Sequence, residues 1–122
     1  MFPADLPGDA DLGRLEDLPD PCAREVRVGA GDWPLRIVLV RVGGRVHAYQ
    51  NRCPHAGHPL NLRPDEFLTP DGRLLICRSH GALFERETGR CVEGPCAGAA
   101  LRRLPLALVD GRLRLACGAM AD

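Results

Sequence analysis

Two short segments of this 122-residue chain hold side chains suited to binding metal: Cys53-Pro54-His55-Ala56-Gly57-His58-Pro59-Leu60 and Cys77-Arg78-Ser79-His80-Gly81-Ala82-Leu83-Phe84. Each brings one thiol and one imidazole within a few residues, as Cys-x-His in the first and Cys-x-x-His in the second. Such spacing lets adjacent side chains reach two metal atoms a few ångströms apart. Gly57 and Gly81 permit tight turns with positive φ, while Pro54 and Pro59 restrict the chain, so backbone N–H groups can be aimed inward at sulfur. A structural zinc site is the alternative for the same four residues. Zinc sites usually pair two cysteines first and two histidines second, and a mixed Cys-x-His start departs from that order.

These loops need elements to hold them, and the sequence around them reads as short strands. Arg24–Val28 alternates like a half-buried strand, and 35–42 is a β-branched run followed by Gly43-Gly44 and then 45–49, a hairpin around a two-residue turn. Residues 50–72 hold four prolines, two histidines and one cysteine without periodicity, which reads as a long ordered loop, and loops of that length usually carry function. A short strand is expected at 73–77, and 83–85 should pair with 91–93 around Thr88-Gly89. A last hairpin, 104–109 and 112–116 around Asp110-Gly111, spaces Leu106, Leu108, Leu113 and Leu115 for one face. Leu15–Pro19 is expected to form one helical turn, Trp33-Pro34 to be packing at a strand entry, and no long amphipathic helix or internal repeat is found. The expected architecture is all-β and antiparallel, a small sandwich or partly open barrel carrying the two loops as a metal-binding subdomain.

The two boxes resemble the Rieske family, whose pattern is Cys-x-His followed after a variable gap by Cys-x-x-His. The likeness extends to Gly57-His58-Pro59-Leu60, to His80-Gly81 and Phe84, to Thr88-Gly89 and to Gly94-Pro95, and covers roughly residues 15 to 116. Over that span the chain is similar to the small ferredoxins that serve ring-hydroxylating oxygenases. The resemblance implies a [2Fe–2S] cluster, with Cys53 and Cys77 on the inner iron, His55 and His80 on the outer iron, and the segment around Gly94-Pro95 closing a third loop. It also implies a potential above that of four-thiolate clusters, because neutral imidazoles replace two thiolates; such centres span roughly −150 to +300 mV, against about −400 mV for plant-type ferredoxins. High-potential members carry an extra cysteine in each box and a serine donating toward a bridging sulfide; His58, Ser79 and Ala82 stand there instead, so a value low in the range is expected. The 21 residues between His55 and Cys77 make a gap somewhat longer than in the most compact relatives.

Composition narrows the function further. The length suits one domain, read as a flexible tail at 1–13, a Rieske domain at 14–118 and a short tail at 119–122. Sixteen basic residues, all arginine and scattered, balance sixteen acidic ones, so no net field favours nucleic acid or an anionic membrane. The start of the chain resembles neither a secretory signal nor an anchor, and no stretch approaches a spanning helix, which makes the cytoplasm the expected location. In that reducing setting six cysteines suit metal ligation or thiols better than a disulfide framework. Cys22, Cys91, Cys96 and Cys117 remain after the ligands are assigned. Cys91 and Cys96, in or beside the expected third loop, read as small buried apolar residues. His58 reads as an exposed loop residue and His47 as a sheet residue.

The expected function is one-electron transfer from a flavoprotein reductase to a terminal oxygenase or related enzyme in transient encounters. The alternative is a non-shuttling accessory or redox-sensing subunit of a larger enzyme. The chain is not expected to be an enzyme itself. Only His47 and His58 remain for a two-His-one-carboxylate iron site, and no glycine motif for flavin or nicotinamide follows a strand.

Overall fold

The computed structural model describes residues 10–29, 35–54, 57–79, 81–95 and 97–115. Among these residues ten strands run in chain order: β1 (Asp11–Arg14), β2 (Cys22–Val28), β3 (Leu35–Val42), β4 (Arg45–Gln50), β5 (Leu74–Ile76), β6 (Leu83–Glu85), β7 (Cys91–Glu93), β8 (Arg103–Leu104), β9 (Leu106–Val109) and β10 (Arg112–Leu115). They form three sheets, ordered β2-β3-β4-β8, β1-β10-β9 and β5-β6-β7, and every pairing between strands is antiparallel. The described residues contain no α-helix, only a 3₁₀ turn at Leu15–Asp17, and the sheets do not close into a barrel. The all-β sandwich expectation therefore holds.

β3 explains how the sheets stack. Ile37, Val38, Leu39 and Val40 are all buried, because neighbouring side chains on a strand point to opposite faces and both faces of this strand are covered. Ile37 and Leu39 pack with Leu12, Ala48, Leu104, Leu113 and Leu115 toward the β1-β10-β9 sheet. Val38 and Val40 pack with Tyr49, Phe67, Leu75, Phe84, Cys53 and Cys77 toward the β5-β6-β7 sheet. One continuous apolar run thus divides two cores, and the second core contains both candidate thiols.

Two turns behave as their residues dictate. Gly43 and Gly44 take φ of +61° and +79° between Val42 and Arg45, as a two-residue hairpin loop with positive φ at both central residues requires, and the Asp20 carboxylate accepts both their N–H groups. At the Thr88-Gly89 turn, a Cβ on Gly89 would come 2.7 Å from the Tyr49 ring, so the residue must be glycine for the β6–β7 hairpin to lie against the buried tyrosine.

Several expectations change. Residues 11–13, expected in the flexible tail, belong to β1, which pairs with β10 through a bulge at Gly13. Leu12 is buried there against Leu113 and Leu115, and Arg112 pairs with Asp11 at 2.8 Å. One apolar residue among polar neighbours shows no periodicity, so only the partner strand reveals it. The strand expected at 104–109 is two strands in different sheets, Leu104 pairing with Ala48 and Leu106 with Leu115. Pro105 stands between them and, lacking an N–H, cannot continue a ladder. Leu108 faces Leu113 across β9 and β10 in the expected register, yet is 56% exposed where Leu113 is buried, because β9 is the edge strand of its sheet and β10 the central one. Trp33, Pro34, Ala116, Cys117 and the segments 1–9 and 116–122 lie outside the described residues.

Candidate metal centre

The two cysteine loops are built on one hydrogen-bond pattern. The Cys53 N–H donates to the His58 carbonyl at 2.7 Å, and the Cys53 carbonyl accepts from the Gly57 N–H at 2.8 Å. The Cys77 N–H donates to the Ala82 carbonyl at 2.9 Å, and the Cys77 carbonyl accepts from the Gly81 N–H at 2.8 Å. In each loop a glycine four residues after the cysteine turns the chain, with φ of +76° at Gly57 and +77° at Gly81, a region that glycine alone enters at little cost. The sequence shows two unlike spacings, whereas the same pair of backbone hydrogen bonds closes both six-residue segments. His55 and His80 both fall inside these turns by sequence, and both lie outside the described residues.

Each thiol is delivered by a strand. β4 runs toward Cys53 and β5 ends beside Cys77, and both cysteines are buried in the core shared with Phe67, Leu75 and Phe84. The loops are tied together, since the Arg78 N–H donates to the Leu60 carbonyl at 2.8 Å. The third loop arrives at Gly94, where a Cβ would lie 2.7 Å from Ala82 Cα and where φ is +108°, so its backbone sits directly on the second cysteine loop. Cys91 is buried in the same core, its Sγ 3.4 Å from the Glu93 carbonyl, while Cys96 lies outside the described residues.

A polar network supports the first loop. Asn51 is 4% exposed; its amide donates to Glu25 Oε2 and Asn61 Oδ1, each at 2.9 Å, and its Oδ1 accepts the Leu60 N–H at 2.7 Å. Glu25 on β2 is held in turn by Arg36 on β3 through both guanidinium contacts. Burial pushes the Glu25 carboxyl up, but the hydrogen bonds from Arg36 and Asn51 outweigh it, and the carboxyl lies below its usual range. Sequence reasoning missed Asn51, Glu25 and Arg36, whose residue types are ordinary at strand edges and whose meeting depends on the β2–β3 register.

The other histidines behave as expected from sequence. His58 is exposed, contributing its carbonyl to the turn. His47 is buried on β4 with Nδ1 2.9 Å from Arg103, and burial followed by the Arg103 charge pushes its pKa down. Cys22 on β2 is half-buried, and burial pushes its thiol up.

The donor set fits a two-iron, two-sulfide cluster. Two buried thiols each open a segment closed by the same pair of hydrogen bonds in one core, which suits the low-dielectric side of such a group, and the sequence puts His55 and His58 in the first segment and His80 in the second. No group of three or more His, Cys, Asp or Glu gathers among the described residues, which leave out His55 and His80.

Comparison with known proteins points the same way. Residues 10–110 match the family model described as the Rieske [2Fe-2S] domain. The ferredoxin component of the alkene monooxygenase system of Xanthobacter autotrophicus (strain ATCC BAA-1158 / Py2) is 36% identical over 77 residues, which are 63% of this chain and 58% of that protein. Apoptosis-inducing factor 3 of Mus musculus is 33% identical over 87 residues, 71% of this chain and 13% of that protein. The chain therefore spans little more than half of the first relative and a small part of the second. Among solved structures, the complex of reduced oxygenase and oxidized ferredoxin in carbazole 1,9a-dioxygenase superposes with a TM-score of 0.67 at 25% identity, covering 88% of this chain and 91% of that chain. The ferredoxin of carbazole 1,9a-dioxygenase from Nocardioides aromaticivorans IC177 gives 0.68 at 20% identity over 89% and 97%, a likeness of fold.

Proposed function

The chain belongs to the Rieske [2Fe–2S] domain family, and from that premise we propose that it is a one-electron carrier, not itself an enzyme, whose cluster is held by Cys53, His55, Cys77 and His80. The observation that supports the ligand assignment is the repeated closure: the same pair of backbone hydrogen bonds closes Cys53–His58 and Cys77–Ala82 with the cysteine first in each, and by sequence His55 falls within the first segment and His80 within the second. When bound, the cluster supplies a reversible one-electron couple without proton or group transfer.

The chain's own residues do the rest. Cys53 and Cys77 would hold the cluster through two thiolates, in a core they share with the buried Phe67, Leu75 and Phe84. His55 and His80 would hold the cluster through neutral ring nitrogens, the protonation state that ligation requires. Asn51 and the Arg78–Leu60 backbone bond keep the loops in register, so little rearrangement accompanies a change of charge. The upstream partner is a flavoprotein reductase and the downstream one a terminal oxygenase, met briefly through a small area as redox encounters usually are. This reading follows the printed names of the relatives, one a monooxygenase ferredoxin and one a ferredoxin solved with its oxygenase. No helix among the described residues is long and apolar enough to cross a membrane, and we place the carrier in the cytoplasm.

A second reading, a fixed electron-transfer module of a larger assembly, is favoured by one observation: the same fold covers only 30% of the terminal oxygenase from Novosphingobium sp. KA1, with a TM-score of 0.70 at 22% identity. The two readings separate on purification, since a fixed module stays with one enzyme through size exclusion and a shuttle does not. The cofactor assignment is tested by ultraviolet–visible and EPR spectra of anaerobically purified protein before and after dithionite. Iron and acid-labile sulfide in equal amounts, with an EPR signal appearing on reduction, are expected. Zinc without either would overturn it.

A further inference from the structure

Two side chains of the four-stranded sheet tie down the turn of the β6–β7 hairpin. The Tyr49 hydroxyl on β4 donates to the Arg86 carbonyl at 2.7 Å, and Arg103 Nη1 on β8 donates to the Glu87 carbonyl at 2.9 Å. Arg103 stands opposite Tyr49 in the β4–β8 register, and its Nη2 lies 2.9 Å from Nδ1 of His47, which shares a face of β4 with Tyr49. A guanidinium only donates, so Nδ1 is the acceptor and the hydrogen of the neutral ring sits on Nε2. That nitrogen is buried and has no hydrogen-bond partner among the described residues. An unpaired buried donor is costly, so an imidazole is a poor filler of this space; what it supplies is the acceptor that aims Arg103 at the turn. The same hairpin reaches the metal centre at its other end. β7 runs into Gly94, where a Cβ would lie 2.7 Å from Ala82 Cα, and the Ala82 carbonyl closes the Cys77 segment.

We propose that His47 is a proton-operated latch on this hairpin: a proton taken up at Nδ1 expels Arg103, unties Glu87 and, through β7 and Gly94, loosens the second cysteine loop, so that the cluster is held less firmly in acid. The proton comes from solvent and takes the lone pair that the Arg103 N–H had occupied; no electron moves. Two cationic donors then face each other across one short contact, and the flexible arginine yields. The Arg103 and Arg45 cations oppose the proton, the Glu87 carboxylate favours it, and Val40, opposite His47 on β3, is uncharged. Burial adds to the opposition, so the closed latch keeps its histidine neutral and a fall in pH favours the open one. Tyr49 holds throughout, because burial pushes its hydroxyl up to about 12, and the turn is loosened at Glu87 without coming away. The link to the cluster rests on the carrier reading; the latch itself does not.

The test follows the full-length holoprotein by hydrogen exchange of the peptide 85–91, against 106–115 as the reference, with labelling times scaled for the intrinsic pH dependence. In parallel, the visible absorbance is followed under excess chelator. Between about pH 8 and about pH 5, a range that brackets histidine titration, exchange of 85–91 in the unaltered protein should rise several-fold over the reference. His47→Asn places an amide oxygen where Nδ1 stands and takes up no proton, so its hairpin should stay protected at both values. Its absorbance should outlast that of the unaltered protein only at the lower one. Arg103→Leu should exchange fast at both, and Tyr49→Phe, which removes the other tie, should exchange faster at both while keeping the step. A step that is absent from the unaltered protein, or that survives in His47→Asn, would overturn the latch. So would a step in exchange without a matching difference in chelator bleaching between the unaltered protein and His47→Asn, and in each case the carrier reading would stand. Absence of a cluster spectrum in the unaltered protein would instead overturn the carrier reading, and with it the last link of the proposal.

Discussion

Asn51 Oδ1 accepts the Leu60 N–H at 2.7 Å, joining the residue that enters the first cysteine loop to the one that leaves it. Because Leu60 also accepts from the Arg78 N–H, one amide side chain holds both cysteine loops through a shared residue. Asn51→Ala leaves the buried Leu60 N–H without an acceptor and removes two donors from the Glu25 and Asn61 oxygens. A buried group stripped of its partner costs about 1–3 kcal/mol. The unfolding free energy of the holoprotein should fall by that order, and the visible absorbance should decay faster under a chelator. Amide exchange at Leu60 should accelerate with it; an Asn51→Ala protein with unaltered exchange there would mean the side chain is not what closes the loop.

Gly94 and Gly98 provide a matched pair. Both have positive φ, +108° and +95°, but a Cβ at Gly94 would strike Ala82 Cα at 2.7 Å, whereas at Gly98 it meets nothing within 4 Å. Alanine at positive φ costs more than about 1 kcal/mol from backbone strain alone. Gly98→Ala should show that loss only. Gly94→Ala should add displacement of the second cysteine loop, seen as a changed cluster spectrum and poorer iron retention. Equal behaviour of the two variants would show that the third loop does not bear on the second.

Much of this arrangement was legible before any coordinates, and the reason differs by element. The cysteine loops and the Gly43-Gly44 turn announce themselves because soft ligands and paired glycines are rare and tied to local geometry. β3 was legible as a strand because β-branched residues run through it, though its service to two cores was not. β1 and the break at Pro105 escaped, since Leu12 acquires meaning only opposite Leu113 and Leu115, and the chain changes sheets where a local pattern looks continuous. The Arg36–Glu25–Asn51 network and the Arg103–His47 pair were also hidden, because each assembles residues far apart in sequence and of ordinary types.

His55→Cys and His80→Cys test which residues hold the outer iron. A thiolate in place of a neutral imidazole adds negative charge, so a second electron charge is less welcome and the potential should drop, toward the roughly −400 mV of four-thiolate ferredoxins. Voltammetry of each variant that retains its cluster reads this directly. A potential equal to that of the unaltered protein would remove that histidine from the ligand set.

Two pH windows should be separable in stability. The Glu25 carboxyl is depressed in the folded protein: burial alone would raise it, but Arg36 and Asn51 prevail. Its contribution is therefore present above the unfolded value of 4.5 and lost as pH falls from there through the folded value. His47 is depressed by burial and by Arg103, so the same sign applies at a higher window: stability is full above 6.5 and declines as pH falls below it, because the unfolded chain takes up the proton first. Urea midpoints measured from pH 8 to pH 3 should show both limbs. Glu25→Gln should be the less stable protein near neutrality, and its deficit should shrink below pH 4.5, while His47→Gln should erase the limb below 6.5 without touching the acid one. A constant deficit of Glu25→Gln across the whole range would mean that its carboxylate charge contributes nothing beyond shape, and that Arg36 and Asn51 are held in place by other contacts.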